Sequence, residues 1–305
     1  MASNVSKLED EQDLFRSDLD RVPDPLKRAV LRMDFSPSYV IVGVYRLFTD
    51  KNLWKPAWDK CRHGVARGAA VGAIWAFLTF GIQKKFIEFF LTNSPRVTGL
   101  SNDTVFGYKI PFNLHTYAAI LYMGHQLTFI LKFFLSKNIR IARDRVWDQA
   151  VQSRGKGPDF WRPYVEEWDN PPVGKAAPGF SKNILGGKVG WFMLKRTLLI
   201  PTHLYPVVGV LVSASFRALG TAQYLHTRYF KAKGMSEQQT AVFIEERKWD
   251  YRAFGFAAAL LEGLPIIGLV FTISNRIGAA MWAFDLEKRQ HFVAAERERE
   301  RNKRM

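Results

Sequence analysis

"PIIGLVFTISNR", residues 265 to 276, lies in the most apolar part of the chain, yet opens on a proline and closes on an arginine. Nearly the same phrase, "PVVGVLVSASFR", stands at residues 206 to 217. The proline, the glycine three places on, the serine at the tenth place and the arginine at the twelfth are all kept. Most other places exchange Val for Ile or Leu, or Ser for Thr. Two copies in matching register indicate a duplicated structural unit.

A proline inside so apolar a segment has two readings. One is a kinked helix that crosses a bilayer, since neighbouring groups can satisfy the carbonyl that proline frees. The other is a re-entrant hairpin, each leg crossing half the bilayer. From Pro265 to Arg276 a helix covers about 16 Å, half the hydrocarbon core, so a proline at the midplane puts the arginine at the headgroups. Length alone does not choose, because residues 197 to 216 and 253 to 275 are also long enough to cross. Charge does. A true span concentrates Lys and Arg on one side. Here Lys195 and Arg196 precede the first segment, and Arg217, Arg228, Lys231 and Lys233 follow it. The second is bracketed by Arg247, Lys248 and Arg252 before, and by Arg276, Lys288 and Arg289 after. Both ends of both segments read as cytosolic, which favours hairpins over about 191 to 225 and 253 to 284. Their turns would be built on Pro201, Pro206 and Gly209, and on Pro265 and Gly268.

Two other segments read as full spans. "GVARGAAVGAIWAFLTFGI" (64 to 82) is rich in small residues that let helices approach closely. "FNLHTYAAILYMGHQLTFILKFFL" (112 to 135) is uncharged until Lys132. The connector between them has few basic residues and carries "NDT" at 102 to 104, making Asn102 a candidate glycosylation acceptor. Residues 92 to 111 are therefore expected in the lumen and the other polar segments in the cytosol. "SPSYVIVGVYRLF" (36 to 48) is apolar but short, suited to a membrane surface. "DPLKRAVLRM" reads as a short helix, and Ser236 with Gln239 matches a capping box. Residues 136 to 190 form a cytosolic insertion. Its first part has helical spacing, while "PDFWRPYVEEWDNPP" reads as a flap lying on the headgroups.

Composition supports this outline. The 305 residues hold 44 Lys and Arg against 28 Asp and Glu, a formal net charge of +16. No zinc-finger, RRM or KH signature accompanies that charge, and the basic residues bracket apolar runs, as anionic headgroups require. Nucleic acid is thus not an expected partner; membrane lipids are, together with a second copy of the chain. The mean hydropathy of −0.12 averages apolar segments with a polar arm, a long loop and a charged tail. With Cys61 as the one cysteine, an intrachain disulfide is impossible and a cysteine metal site is not expected. The acidic start of the chain resembles neither a secretory signal nor a transit peptide, so an internal segment is expected to direct insertion.

The expected architecture is an all-α integral membrane protein with two long transmembrane helices, two proline-centred re-entrant hairpins and amphipathic surface helices. It divides into a polar arm (1 to 35), one helical membrane domain (36 to 290) and a charged tail (291 to 305). Taken together, "LIPTHLYPVVGVL", "YFKAKGMSEQQTAVFIEERKWDYRAFGF" and "LLEGLPIIGLVFTISNRIGAAMWAFDLEK" resemble the family of etoposide-induced protein 2.4 and the bacterial sulfate permease CysZ. The last two stretches are most similar to its fungal branch, which includes outer-spore-wall and lipid-droplet proteins. The resemblance covers about residues 36 to 290 and implies two spans with two hemi-penetrating hairpins.

No nucleophile–base motif appears, so no catalytic residue, metal or cofactor is expected. Membrane or lipid organisation in the endoplasmic reticulum or on lipid droplets, with a part in spore wall formation, is the leading expectation. Transport of a small anion such as sulfate is the alternative. In the permeases a Gly-Leu-Arg stretch is associated with sulfate; the nearest match, Gly43 and Arg46, is spaced one residue wider, and an interfacial arginine on lipid phosphate is the simpler reading. Glu262 is the one acid well inside an apolar region, where an ionisable group is a functional candidate. Asn275 and Arg276 read as anchors of the second hairpin leg. His115, His125 and Gln126 read as packing groups, the two histidines facing different sides of their helix.

Overall fold

The computed structural model describes residues 24–92, 104–105, 108–109, 114–156, 158–168, 171–172 and 206–305. Pro201, Asn102 and the first leg of the expected first hairpin lie outside them, as does the side chain of His115. In order, the described elements are α1 (Asp24–Met33), α2 (Ser38–Thr49), α3 (Lys51–Thr92), the two-residue strands β1 (Thr104–Val105) and β2 (Tyr108–Lys109), and α4 (Leu114–Gln152). A short 3-10 turn (Pro158–Phe160) precedes α5 (Pro206–Ala232), α6 (Glu237–Glu246), α7 (Lys248–Glu262) and α8 (Gly268–Arg304). The strands pair antiparallel, Thr104 with Lys109 and Val105 with Tyr108. The fold is otherwise helical.

Helices α3 and α4, 42 and 39 residues long, are long and apolar enough to cross a membrane. Both outrun the expected spans: α4 continues past residue 135 to Gln152 without a break, so the start of the expected loop is helix. The two pack through small residues. A Cβ on Gly64, Gly68 or Gly72 would come within 2.7 to 2.9 Å of Leu135, Leu131 or Leu127, one leucine per glycine down the seam. A polar clamp closes it: Trp75 Nε1–H and Gln83 Nε2–H both donate to Gln126 Oε1, at 2.7 and 2.9 Å. Gln126 is thus the packing group expected, and His125 sets Nδ1 against the Leu121 carbonyl of its own helix. Much of their outer faces is exposed among the described residues. Phe77 is 88% exposed, Phe129 75% and Phe133 74%.

At the centre lies α8, on which every residue from Thr272 to Glu287 is buried. Glycine permits its closest crossing. Gly43 of α2 lies against the Ser274 carbonyl and Gly278 against that of Tyr39, so a Cβ on either would overlap backbone. Gly255 plays the same part where α7 crosses α5 at the Ala218 carbonyl. The interior is aromatic. His226 is buried among Phe254, Trp282, Tyr251 and Tyr229, receiving the Tyr251 hydroxyl at Nδ1 (2.7 Å) and facing the Ala279 carbonyl with Nε2 (3.1 Å). Burial pushes its pKa down to about 3, so the ring is neutral and Nε2 carries the hydrogen.

Ser236 and Gln239 form the capping box of α6, both of its hydrogen bonds being present. The proline of the opening stretch ends a helix outright. α7 stops at Glu262, Gly263 turns its N–H back on Ala259 and Leu260, and α8 starts at Gly268. Between them Ile266 adopts φ 62°, a left-handed conformation that costs a branched residue about 1–2 kcal/mol. Pro206, by contrast, opens α5, where proline lacks only an N–H that no helix bond would use.

Candidate functional site

The turn at Pro265 is held by α4. The Ile266 N–H donates to Thr128 Oγ1 at 2.7 Å, and the Thr128 hydroxyl donates in turn to the Gly124 carbonyl, also at 2.7 Å. Gly124 has no side chain because Pro265 lies there, a Cβ at 124 coming within 2.9 Å of the proline ring. The turn therefore rests against the middle of the most apolar stretch of α4.

Beside it opens a cleft of about 590 Å³ between α4, α5 and the turn. Glu262, Pro265 and Gly209 line it, so the structure brings three of the expected residues together. Glu262 is tied at Oε1 by Asn275 Nδ2 (3.0 Å), which also donates to the Ala258 carbonyl (3.0 Å). Asn275 thus ties α8 to α7. Arg276 anchors differently. It is buried, donates to the carbonyls of Tyr224 and Leu225 at 3.2 and 2.7 Å, and lies over the Tyr224 ring, so it fastens α8 to α5.

Two cleft residues were not singled out as a site in sequence: Lys132 and Arg217. Each carried a signal, Lys132 as the one charge in its span and Arg217 as the twelfth place of the repeat. Only the packing of α5 beside α4 shows that the two face one another.

Gly43 and Arg46 lie elsewhere. Gly43 is a buried crossing point, which accounts for a glycine there without a ligand. Arg46 donates to Ser153 Oγ (3.1 Å) and Met281 Sδ (2.9 Å) and lies 3.7 Å from Asp50. Arg154 reaches the same sulfur and covers the Phe284 ring. Burial and the neighbouring Arg46 hold Arg154 below its ordinary range, so these two cations crowd one spot.

The expected flap is docked instead. Residues 158–168 lie along α8 at Glu287 and Gln290, where Glu287 accepts from the Arg162 N–H (2.9 Å) and from Lys233 Nζ (2.6 Å), both side chains of the ion pair being fully buried. Gln290 pairs both ways with the Val165 backbone at 3.0 Å. Burial pushes Glu167 up, but Arg247 and Arg289 outweigh it and hold the carboxyl below its usual range. Glu246 goes the other way, raised to about 8 by burial and by the neighbouring Glu166. A headgroup flap would leave these charges to water; here the helices supply partners for each of them.

Among the described residues no group of three His, Cys, Asp or Glu side chains could hold a metal ion. Comparison of the chain with protein-family models, with curated proteins and with solved structures finds no match.

Proposed function

We propose that this chain is a non-catalytic integral membrane protein that organises lipid. The observation carrying the reading is the apolar surface of α3 and α4. The most apolar window of α3 has a mean hydropathy of 1.6 and only 11% of it is buried; that of α4 has 1.4 and 33%. A core helix of a water-soluble protein covers such residues, and patches this large on a water-facing surface are rare. A bilayer removes the penalty.

The second hairpin fits the same reading. Its turn meets Gly124 and Thr128, about 12 Å of helix before Ser136, where α4 turns polar. That puts Pro265 close to half the core depth. From there α8 runs alongside α4, Leu269 and Ile273 facing Leu135 and Ile139, until Met281 meets Arg154 beyond the apolar stretch. The turn is thus the tip of a re-entrant hairpin, and the charged clasp around Glu287 stands in the cytosol. For the first hairpin the repeat alone speaks. The similarity to the family of etoposide-induced protein 2.4 and CysZ, and to its fungal branch, supports placement in the endoplasmic reticulum or on lipid droplets and a part in spore wall formation.

Membranes from cells expressing the tagged protein, stripped with alkaline carbonate, test the reading. The protein stays in the pellet; release into the supernatant overturns it. A small-anion transporter is the second reading, favoured by the crowding of Arg46 and Arg154. Labelled sulfate entering proteoliposomes, and lost with Arg46→Ala, would put it first.

A further inference from the structure

Lys132 and Arg217 face one another with a single acid, Glu262, acting on Lys132 among the described residues. Both line the cleft between α4, α5 and the turn, close enough for Arg217 to act on the charge of Lys132. Neither has a hydrogen bond or ion pair among the described residues. The one acid within reach, Glu262, is engaged at Oε1 by Asn275. Two like charges beside an apolar wall cost free energy unless an anion sits between them.

The cleft also has a direction. It follows one face of α4 from Ala118 through Leu121, Tyr122 and Phe129 to Lys132, about 21 Å of helix. On α5 it follows Gly209, Val210, Ser213 and Arg217 in the same sense. Both cations therefore stand at one end, and the walls leading away from them are largely apolar. One leaflet of the hydrocarbon core is about 15 Å thick, so the stretch from Lys132 to Leu121, about 16 Å of helix, matches the length of a leaflet-spanning chain. In the membrane reading, Lys132 lies within one turn of the point where α4 leaves the core. The charged end thus stands at headgroup depth and the apolar end nearer the midplane.

We propose that this cleft binds a single anionic lipid, its phosphate or carboxylate oxygens held between Lys132 Nζ and the Arg217 guanidinium, its acyl chain lying along α4 toward Leu121. The guanidinium offers two parallel donors to an oxyanion and the ammonium adds a point charge, the usual division of labour between these side chains. Glu262, beside the charged end, repels an anionic headgroup and limits how tightly it is held. The inference rests on the membrane reading above, since a leaflet must supply the ligand.

The test uses the full-length protein in nanodiscs of phosphatidylcholine carrying a small fraction of phosphatidic acid, with bound lipid counted by native mass spectrometry after detergent release. The wild-type chain retains phosphatidic acid over phosphatidylcholine, and the double variant Lys132→Gln, Arg217→Gln loses that preference by about a hundredfold or more, as removal of two charge-assisted contacts predicts. Glu262→Gln moves the other way and retains more, an opposite sign that misfolding cannot produce. Equal retention by the wild type and the double variant overturns the proposal. Displacement of the lipid by equimolar inorganic phosphate overturns it too, since the site would then hold a free anion and ignore the chain. Carbonate extraction of the same samples separates the two claims. A chain that resists extraction yet shows no lipid preference refutes the site alone, and one that is extracted refutes the membrane reading beneath it.

Discussion

The two copies of the repeat put the same residue in opposite circumstances. In "PIIGLVFTISNR" the arginine, Arg276, is buried and holds two carbonyls of α5. In "PVVGVLVSASFR" the arginine, Arg217, stands open to the cleft. The hydroxyl at the eighth place behaves likewise: Thr272 is buried and donates to the Leu269 carbonyl, whereas Ser213 lines the cleft. The serine at the tenth place turns to its own helix in both, Ser215 to the Leu211 carbonyl and Ser274 to that of Phe271. A shared phrase thus specifies an apolar helix with a few polar positions. What each polar position does depends on the neighbour. α8 runs through the centre and pairs most of the polar groups it buries, while α5 keeps one face to the cleft.

The comparison breaks most easily two places past each arginine, at Gly278 and Leu219. Gly278→Leu, which gives the second copy the residue of the first, is expected to destabilise by about 3 kcal/mol because the Tyr39 carbonyl occupies the space. Leu219→Ala should cost only about 1 kcal/mol, since that side chain is half-buried. Thermal unfolding in detergent measures both, and equal shifts would mean that the two helices are equally central. Next come the arginines. Arg276→Ala removes two charge-assisted hydrogen bonds to α5 and should cost about 2 kcal/mol, while Arg217→Ala falls within about 0.5 kcal/mol. An Arg217 variant as unstable as the Arg276 one would show that the cleft cation is structural.

Glu262 sharpens the contrast. Glu262→Gln keeps an oxygen for Asn275 and should leave protein abundance nearly unchanged, whereas Glu262→Leu removes that acceptor and should lower it. If both variants accumulate normally, the carboxylate does not hold the turn. Smaller still is the difference between matching hydroxyls. A small thiol reagent should modify Ser213→Cys faster than Thr272→Cys in detergent, against a background of buried Cys61. Equal rates would deny that the first copy faces an opening.

A third arrangement of charge, outside both copies, responds to pH. The folded state holds the Glu246 proton up to about pH 8, where an ordinary carboxyl releases it near 4.5. Folded protein thus binds more protons than unfolded between those values, so this contribution to stability falls as pH rises and is lost above about 8. Protection of the Val165 and Trp168 amides, corrected for the intrinsic base-catalysed rate, should fall from pH 7 to pH 9 and recover on return. Protection that ignores pH would mean that Glu246 does not hold its proton in the folded state.

Much of this was legible in sequence where the signal is local. The break at Pro265, the capping box at Ser236 and the helix "DPLKRAVLRM" each depend on residues a few places apart. The close seam of α3 followed from its small residues, although its facing leucines did not. What was hidden depends on distant partners. Nothing near "FWRPYVEEW" announces that Glu287 and Gln290 bind its backbone, and Lys233 and Arg247 look like solvated charges until their acids arrive from far along the chain. Gly43 read as half of an anion motif because its real neighbour, the Ser274 carbonyl, lies on another helix. Lys132 and Arg217 were visible one by one, but their meeting is a property of packing.

The strained turn has one more consequence, concerning the order in which the molecule is built. Ile266 tolerates its left-handed backbone because its N–H reaches Thr128, 138 residues upstream. Synthesis runs from the N-terminus, so α4 has left the ribosome long before the turn emerges and waits as its template. A rearranged gene that places residues 248–305 ahead of α1 would make the turn first, with no hydroxyl to receive its amide. Such a chain has the same contacts available at the end, yet must hold a strained, unpaired tip until its partner is made. In the native order, the hydroxyl that receives this amide is made before the turn that needs it.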